Sequence, residues 1–127
     1  MAQEDRDLLE SRRVVMLAFV LPALALVASG FFRVDSRMEA VVWASALIVM
    51  GSTCARNAWG CGRLHCYFTA PFLYCMAAAA LIVGFSSIRR SPMAWNALAA
   101  VLVVGVLTLT WLPERIFGRY RRREPLP

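Results

Sequence analysis

The chain has 127 residues, of which 60% are hydrophobic and only 17% are charged, and its mean hydropathy is +0.59. A soluble domain carries about a quarter charged residues, and a single small core could not hide this much apolar surface. The composition therefore excludes an ordinary soluble enzyme, a disordered chain and a fibrous repeat, and it predicts an integral membrane protein.

The net charge of +6 comes from 14 basic and 8 acidic residues, and every basic residue is an arginine. These arginines flank apolar segments, where they set membrane topology. No surface module that combines basic and aromatic residues is present, so nucleic acid is not expected as a partner. The expected partner is the lipid bilayer.

Four apolar stretches follow one another, at about residues 14–32, 38–54, 70–86 and 93–112. Each is close to the roughly 17–25 residues that a helix needs to cross the hydrocarbon, and an isolated strand would leave backbone groups unpaired in lipid. The sequence predicts one all-α domain over residues 1–127, a bundle of four transmembrane helices. A short polar N-terminus precedes it and an arginine-rich tail follows it.

The first stretch resembles a signal sequence in part, but its polar lead is long and partly acidic and its apolar run is long. A retained helix is the favoured interpretation. Pro22 lies inside this stretch and predicts a kink, because proline removes one backbone hydrogen bond.

Orientation follows from the distribution of arginines on the two sides of the membrane. With the N-terminus inside, ten arginines lie on the inner side and four on the outer side. We therefore expect both termini and the central loop to face the cytoplasm.

The helix ends are predicted from local turn chemistry. Ser91 and Pro92 predict an N-cap and a first-turn proline for the fourth helix, and Thr69 and Pro71 predict the same for the third. The segment Leu112-Pro113-Glu114 is expected to close the fourth helix.

The chemistry of the chain is concentrated in one segment. All four cysteines and the only histidine fall within residues 54–75, in the spacing Cys-x6-Cys-x4-Cys-x8-Cys. This spacing differs from those of zinc ribbons, thioredoxin motifs and covalent haem sites. The candidate metal ligands are Cys54, Cys61, His65, Cys66 and Cys75, with Arg63 and Asn57 as further site residues.

A metal site remains plausible on geometric grounds. Cys61, His65 and Cys66 are predicted in a short, glycine-containing loop, with Cys54 at the end of helix two and Cys75 about one turn into helix three. All would meet at one membrane face, where the N-terminus of helix three and nearby arginines favour a thiolate. Thiolates bind soft ions, so Hg, Cu or Zn are the candidate metals.

The element Asn57-x3-Cys61-Gly62-Arg63-x-His65-Cys66-x2-Thr69-x-Pro71 resembles one in small, mostly uncharacterised prokaryotic inner-membrane proteins with several helices. More loosely, the chain is similar to mercury transport proteins of the MerT and MerC kind, which pass a mercuric ion between cysteine pairs. The first helix here contains no cysteine, unlike the first helix of those proteins. The resemblance therefore implies a multi-pass protein of a prokaryotic inner membrane and thiol-based metal handling, and it leaves mercury transport itself open.

Three functions are compatible with these features. The first is soft-metal handling by cysteine thiolates, in transport, sensing or delivery. The second is a non-enzymatic subunit or assembly factor of a larger membrane complex, for which small residues such as Gly84 permit close helix contacts. The third is a membrane thiol oxidoreductase that forms a Cys61–Cys66 disulfide. No complete catalytic signature is present, so no catalytic residue is assigned and a non-enzymatic role is favoured.

Overall fold

The computed structural model describes residues 11–32, 34–86 and 91–118, with the side chain of Cys61 excepted. Within this part of the chain there are four helices long and apolar enough to cross a membrane. They are α1 (Arg12–Phe31), α2 (Ser36–Cys61), α3 (Leu64–Phe85) and α4 (Pro92–Phe117). The all-α class and the four candidate spans are confirmed. The N-terminal lead and most of the arginine-rich tail lie outside the described residues.

Helix α1 contains an irregular turn where the sequence predicts a kink. Residues Met16–Val20 form a π-helical segment, and regular α-helix resumes at Leu21. Pro22 follows directly and has no N–H to donate to the preceding turn. A widened turn accommodates such a missing hydrogen bond, so the irregularity lies beside its cause.

The boundary between α2 and α3 differs from the prediction. Helix α2 continues to Cys61 instead of ending near residue 54, and α3 begins at Leu64 instead of residue 70. Gly62 ends α2 in the left-handed conformation, with φ of 75°, and its N–H donates to the Ala58 carbonyl at 3.0 Å. The predicted loop is therefore a tight glycine turn, because helix geometry persists beyond the point where hydropathy falls.

Prolines at the other helix ends give a mixed result. Ser91 is the N-cap residue of α4 and Pro92 its first residue, as predicted. Pro71 lies inside α3, and Pro113 lies inside α4, which runs on to Phe117. The predicted start of α3 at Thr69–Pro71 and the predicted end of α4 near Pro113 are both wrong, since packed neighbours let a membrane helix continue through proline.

The helices α2 and α3 form the most closely packed pair. Leu47 and Leu73 are almost fully buried between them, and Ala77 and Ala80 of α3 are also buried. A side chain at Gly84 would collide with Ala40 of α2. Small residues therefore bring these two helices together, as the sequence predicts for Gly84.

Helix α4 is peripheral by comparison. Only 6% of the residues in its apolar stretch are buried, against 39% of those in α2 and in α3. Its Gly105 faces the Phe72 ring of α3, which occupies the space that a side chain would need. Near its start, Trp95 packs edge-on against Trp43 of α2 at a ring separation of 5.5 Å.

Candidate functional site: a buried thiol pair

The end of α2, the start of α3 and the end of α4 lie at the same end of the bundle, because consecutive helices run antiparallel. The Gly62 turn joins α2 directly to α3 there. Glu114 of α4 contacts Arg63 of the turn and His65 of α3, so α4 also borders the site.

Two cysteines of this region face each other. Cys54 lies two turns before the end of α2, and Cys66 lies in the first turn of α3. Their side chains are close enough to form a hydrogen bond. Both are free thiols, and their exposed fractions are only 2% and 0%. The glycine turn thus brings together two buried thiols that are twelve residues apart in the sequence.

Polar groups surround the Cys66 sulfur. Asn57, one turn after Cys54, donates from its Nδ2 to the Cys66 Sγ at 3.7 Å. The Nε2 of His65 lies 3.3 Å from the same sulfur. Cys66 is also the third residue of α3, where unpaired N–H groups give the helix end a partial positive charge. Donors around a sulfur atom stabilise its thiolate form.

His65 is held in turn by a carboxylate from α4. Its Nδ1 lies 2.5 Å from Glu114 Oε1, and the Arg63 Nε donates to the same oxygen at 3.2 Å. A carboxylate accepts hydrogen bonds only, so Nδ1 carries a proton and Nε2 is the nitrogen that exchanges a proton with Cys66. Glu114 therefore fixes the tautomer and the orientation of the imidazole.

The resulting chain, Cys66–His65–Glu114, has the arrangement of a thiol activated by a base that a third group orients. With Cys54 beside it, the site can present two thiolates to one acceptor. Among the described residues no group of three or more His, Cys, Asp or Glu side chains is arranged to hold a metal ion. The geometry is thus that of a dithiol rather than of a tetrahedral zinc centre.

The predicted site residues divide into three sets. Cys54, Asn57, Arg63, His65 and Cys66 come together. Cys61 is the last residue of α2, and its side chain lies outside the described part of the chain.

Cys75 is not brought to the thiol pair. It is exposed on α3, nine residues beyond Cys66, which corresponds to about 13 Å along the helix axis. The expectation that all the cysteines meet at one membrane face is therefore wrong for Cys75, because α3 begins one and a half turns earlier than predicted.

Glu114 is the site residue that the sequence analysis missed. The sequence indicates it only as part of the predicted end of helix four. Its position could nevertheless be predicted, because in an antiparallel bundle the end of the fourth helix lies beside the turn between the second and third helices. An acidic residue at that level is a natural partner for Arg63 and His65.

A groove runs along the α2–α3 pair beside Cys66. Its volume is about 440 Å³, and aromatic side chains of Trp59, Tyr67 and Tyr74 contribute to its walls. Ser52 and Tyr74, which also line it, are joined by a hydroxyl hydrogen bond of 2.9 Å. Cys66 is among the residues that line it, although the cysteine itself has no exposed surface.

Comparisons with known proteins return nothing for this chain: no family model, no curated protein and no solved structure matches it. Function is therefore argued from the site alone.

Proposed function

We propose that the protein handles a soft metal ion through the thiolates of Cys54 and Cys66, in transport, sensing or delivery. The observation that supports this proposal is the meeting of two buried thiols from adjacent helices. Thiolates select soft ions such as Cu(I), Zn(II) or Hg(II) over magnesium or calcium. His65 is available as a further ligand through its Nε2, with Glu114 orienting the ring as carboxylates commonly do for metal-bound histidine.

Charge favours a soft divalent ion held by two sulfurs. Burying an unpaired charge is costly, whereas two thiolates neutralise a divalent ion. A monovalent ion such as Cu(I) would leave one negative charge, which protonated His65 would offset. Hg(II) and Cu(I) both accept binding by two thiolates alone, whereas Zn(II) takes four ligands, so the thiol pair of the described residues fits Hg(II) and Cu(I) better than Zn(II).

The proposed site lies on the cytoplasmic side of the membrane, an orientation that the arginine distribution supports. The Gly62 turn then faces the cytoplasm, where thiols stay reduced and can exchange ions with soluble thiol carriers. Ligand exchange between thiolates would move the ion without fully releasing it at any step.

Titration of the purified protein with Hg(II), Cu(I) and Zn(II), with free thiols counted after each addition, tests the proposal. We expect one equivalent of at least one ion to protect Cys54 and Cys66 from alkylation. The double variant Cys54→Ser with Cys66→Ser should lose this protection and more than about 100-fold in affinity, because a serine hydroxyl stays protonated and binds soft ions poorly. Unchanged thiol reactivity with every ion would exclude metal handling.

The Cys66–His65–Glu114 chain favours a second candidate, a membrane thiol oxidoreductase. In this case Cys66 is the reactive thiol, and its disulfide partner is Cys54 rather than the Cys61 expected from the sequence. Alkylation of cells followed by mass spectrometry of the protein discriminates between the candidates. A redox enzyme is expected to contain a Cys54–Cys66 bridge in a measurable fraction of molecules, and a metal carrier is expected to contain both thiols free.

A further inference from the structure

The two thiols have almost no exposed surface in the arrangement described. Cys54 is 2% exposed and Cys66 is 0% exposed. Any chemistry at these sulfurs requires part of the bundle to move.

The packing of the helices indicates which part moves most easily. Helices α2 and α3 carry the two thiols and are held together by small residues, with Gly84 too close to Ala40 to accept a side chain. Separating them would expose the core of the bundle. Helix α4 is far less buried than either, and within its described residues Pro113 alone is classed as buried.

The attachments of α4 differ along its length: Leu98, Leu102 and Val106 pack against the core, whereas its polar attachment lies at the site. Beside the thiols, Glu114 bonds to Arg63 and to His65. Further along the helix, Gly105 faces the Phe72 ring, and near the other end Trp95 packs on Trp43. The polar attachment lies at the site, and the ring contacts lie away from it.

We propose that α4 is the gate of the thiol site, with Glu114 as its latch and the Phe72–Gly105 contact as its pivot. When the bonds from Glu114 to Arg63 and His65 break, the end of α4 swings away while the ring contacts hold the rest of the helix. This inference rests on the proposed function only in taking Cys54 and Cys66 as the reactive pair, and it applies to either candidate.

The test uses the full-length chain with Cys61, Cys66 and Cys75 replaced by serine, so that Cys54 is the sole cysteine. Cys54 is chosen because the described contacts of His65 are with Cys66 and Glu114, so a change at Glu114 does not act on it through the imidazole. The rate of its alkylation by iodoacetamide in lipid nanodiscs reports the opening of the site.

In this background Glu114→Gln should raise the alkylation rate about ten-fold or more, since it removes charge-assisted hydrogen bonds that hold the gate closed. Arg115→Gln is the matched control. Arg115 is the next residue of α4, and it stacks over Trp111 at 4.5 Å, away from the latch. The rate of Cys54 alkylation in the Arg115→Gln variant should therefore equal that of the parent. An unchanged rate in Glu114→Gln would overturn the proposal.

The pivot gives a second test far from the thiols. Gly105→Ala places a methyl group against the Phe72 ring and should also raise the rate, and adding Phe72→Leu should return it towards the parent value. Ala55→Phe narrows the groove beside Cys66 and should have no effect. Slower alkylation in Ala55→Phe would identify the groove as the route and overturn the gate. Alkylation needs no metal, so the alkylation rates can be interpreted even if the metal titration shows no binding.

Discussion

The α2–α3 pair and helix α4 contribute to the same site in different ways. The pair supplies both thiols from a densely packed interface, where 39% of each apolar stretch is buried. Helix α4 supplies a single carboxylate, and only 6% of the residues in its apolar stretch are buried. Dense packing of α2 against α3 fixes the positions of the sulfurs. Light packing of α4 allows Glu114, which orients His65, to leave the site and return.

The difference in packing predicts a large difference in stability effects. Leu47→Ala on α2 removes a side chain with no exposed surface, and we expect the variant to lose about 2–4 kcal/mol, because the cavity left behind cannot collapse fully. Leu107→Ala on α4, where the leucine is 64% exposed, should change stability by less than about 0.5 kcal/mol. Unfolding in mild detergent, followed by loss of helical circular dichroism, measures both. Equal losses would contradict the view that α4 is peripheral.

The spans could be predicted from sequence because the bilayer imposes a minimum length on any apolar helix. The ends could not, since hydropathy falls at Arg56 and Asn57 although the helix continues to Cys61. Hydropathy measures the cost of entering lipid and does not detect a helix that runs on into the interface. The local signal for the end of α2 is Gly62, which adopts the left-handed conformation and directly follows Cys61.

The membership of the site was predictable in part. Asn57, Arg63, His65 and Cys66 lie close together in the sequence, and a single turn suffices to assemble them. The pairing of Cys54 with Cys66 depends on where α2 ends, and the contact of Glu114 with His65 spans 49 residues. The Cys54–Cys66 and Glu114–His65 contacts depend on the topology of the bundle. They can be predicted only after each helix end has been assigned to one face of the membrane.

A second prediction concerns the contribution of the α2–α3 pair to thiol reactivity. Asn57 has no exposed surface and donates to the Cys66 sulfur. Asn57→Ala should slow alkylation of Cys66 about five-fold under conditions that open the site, because one hydrogen bond that stabilises the thiolate is lost. The rate is measured in the Glu114→Gln background, where the gate is open in every variant compared. Asn96→Ala, on α4 near its other end, is the control, and a loss of the same size there would show that the effect is not local.

The smallest effect is expected at Cys75, which tests the distinction between the thiol pair and the remaining part of α3. Cys75 is exposed and lies about 13 Å along the helix from Cys66. Cys75→Ser should leave metal affinity and the alkylation of the other thiols within about two-fold of the parent, and stability within about 0.5 kcal/mol, because the side chain neither reaches the site nor fills the core. Metal titration and thermal unfolding of the variant beside the Cys54→Ser and Cys66→Ser variants measure the contrast. A loss of affinity in Cys75→Ser as large as that in Cys66→Ser would mean that the ion is held along α3, and it would remove the thiol pair from its proposed role.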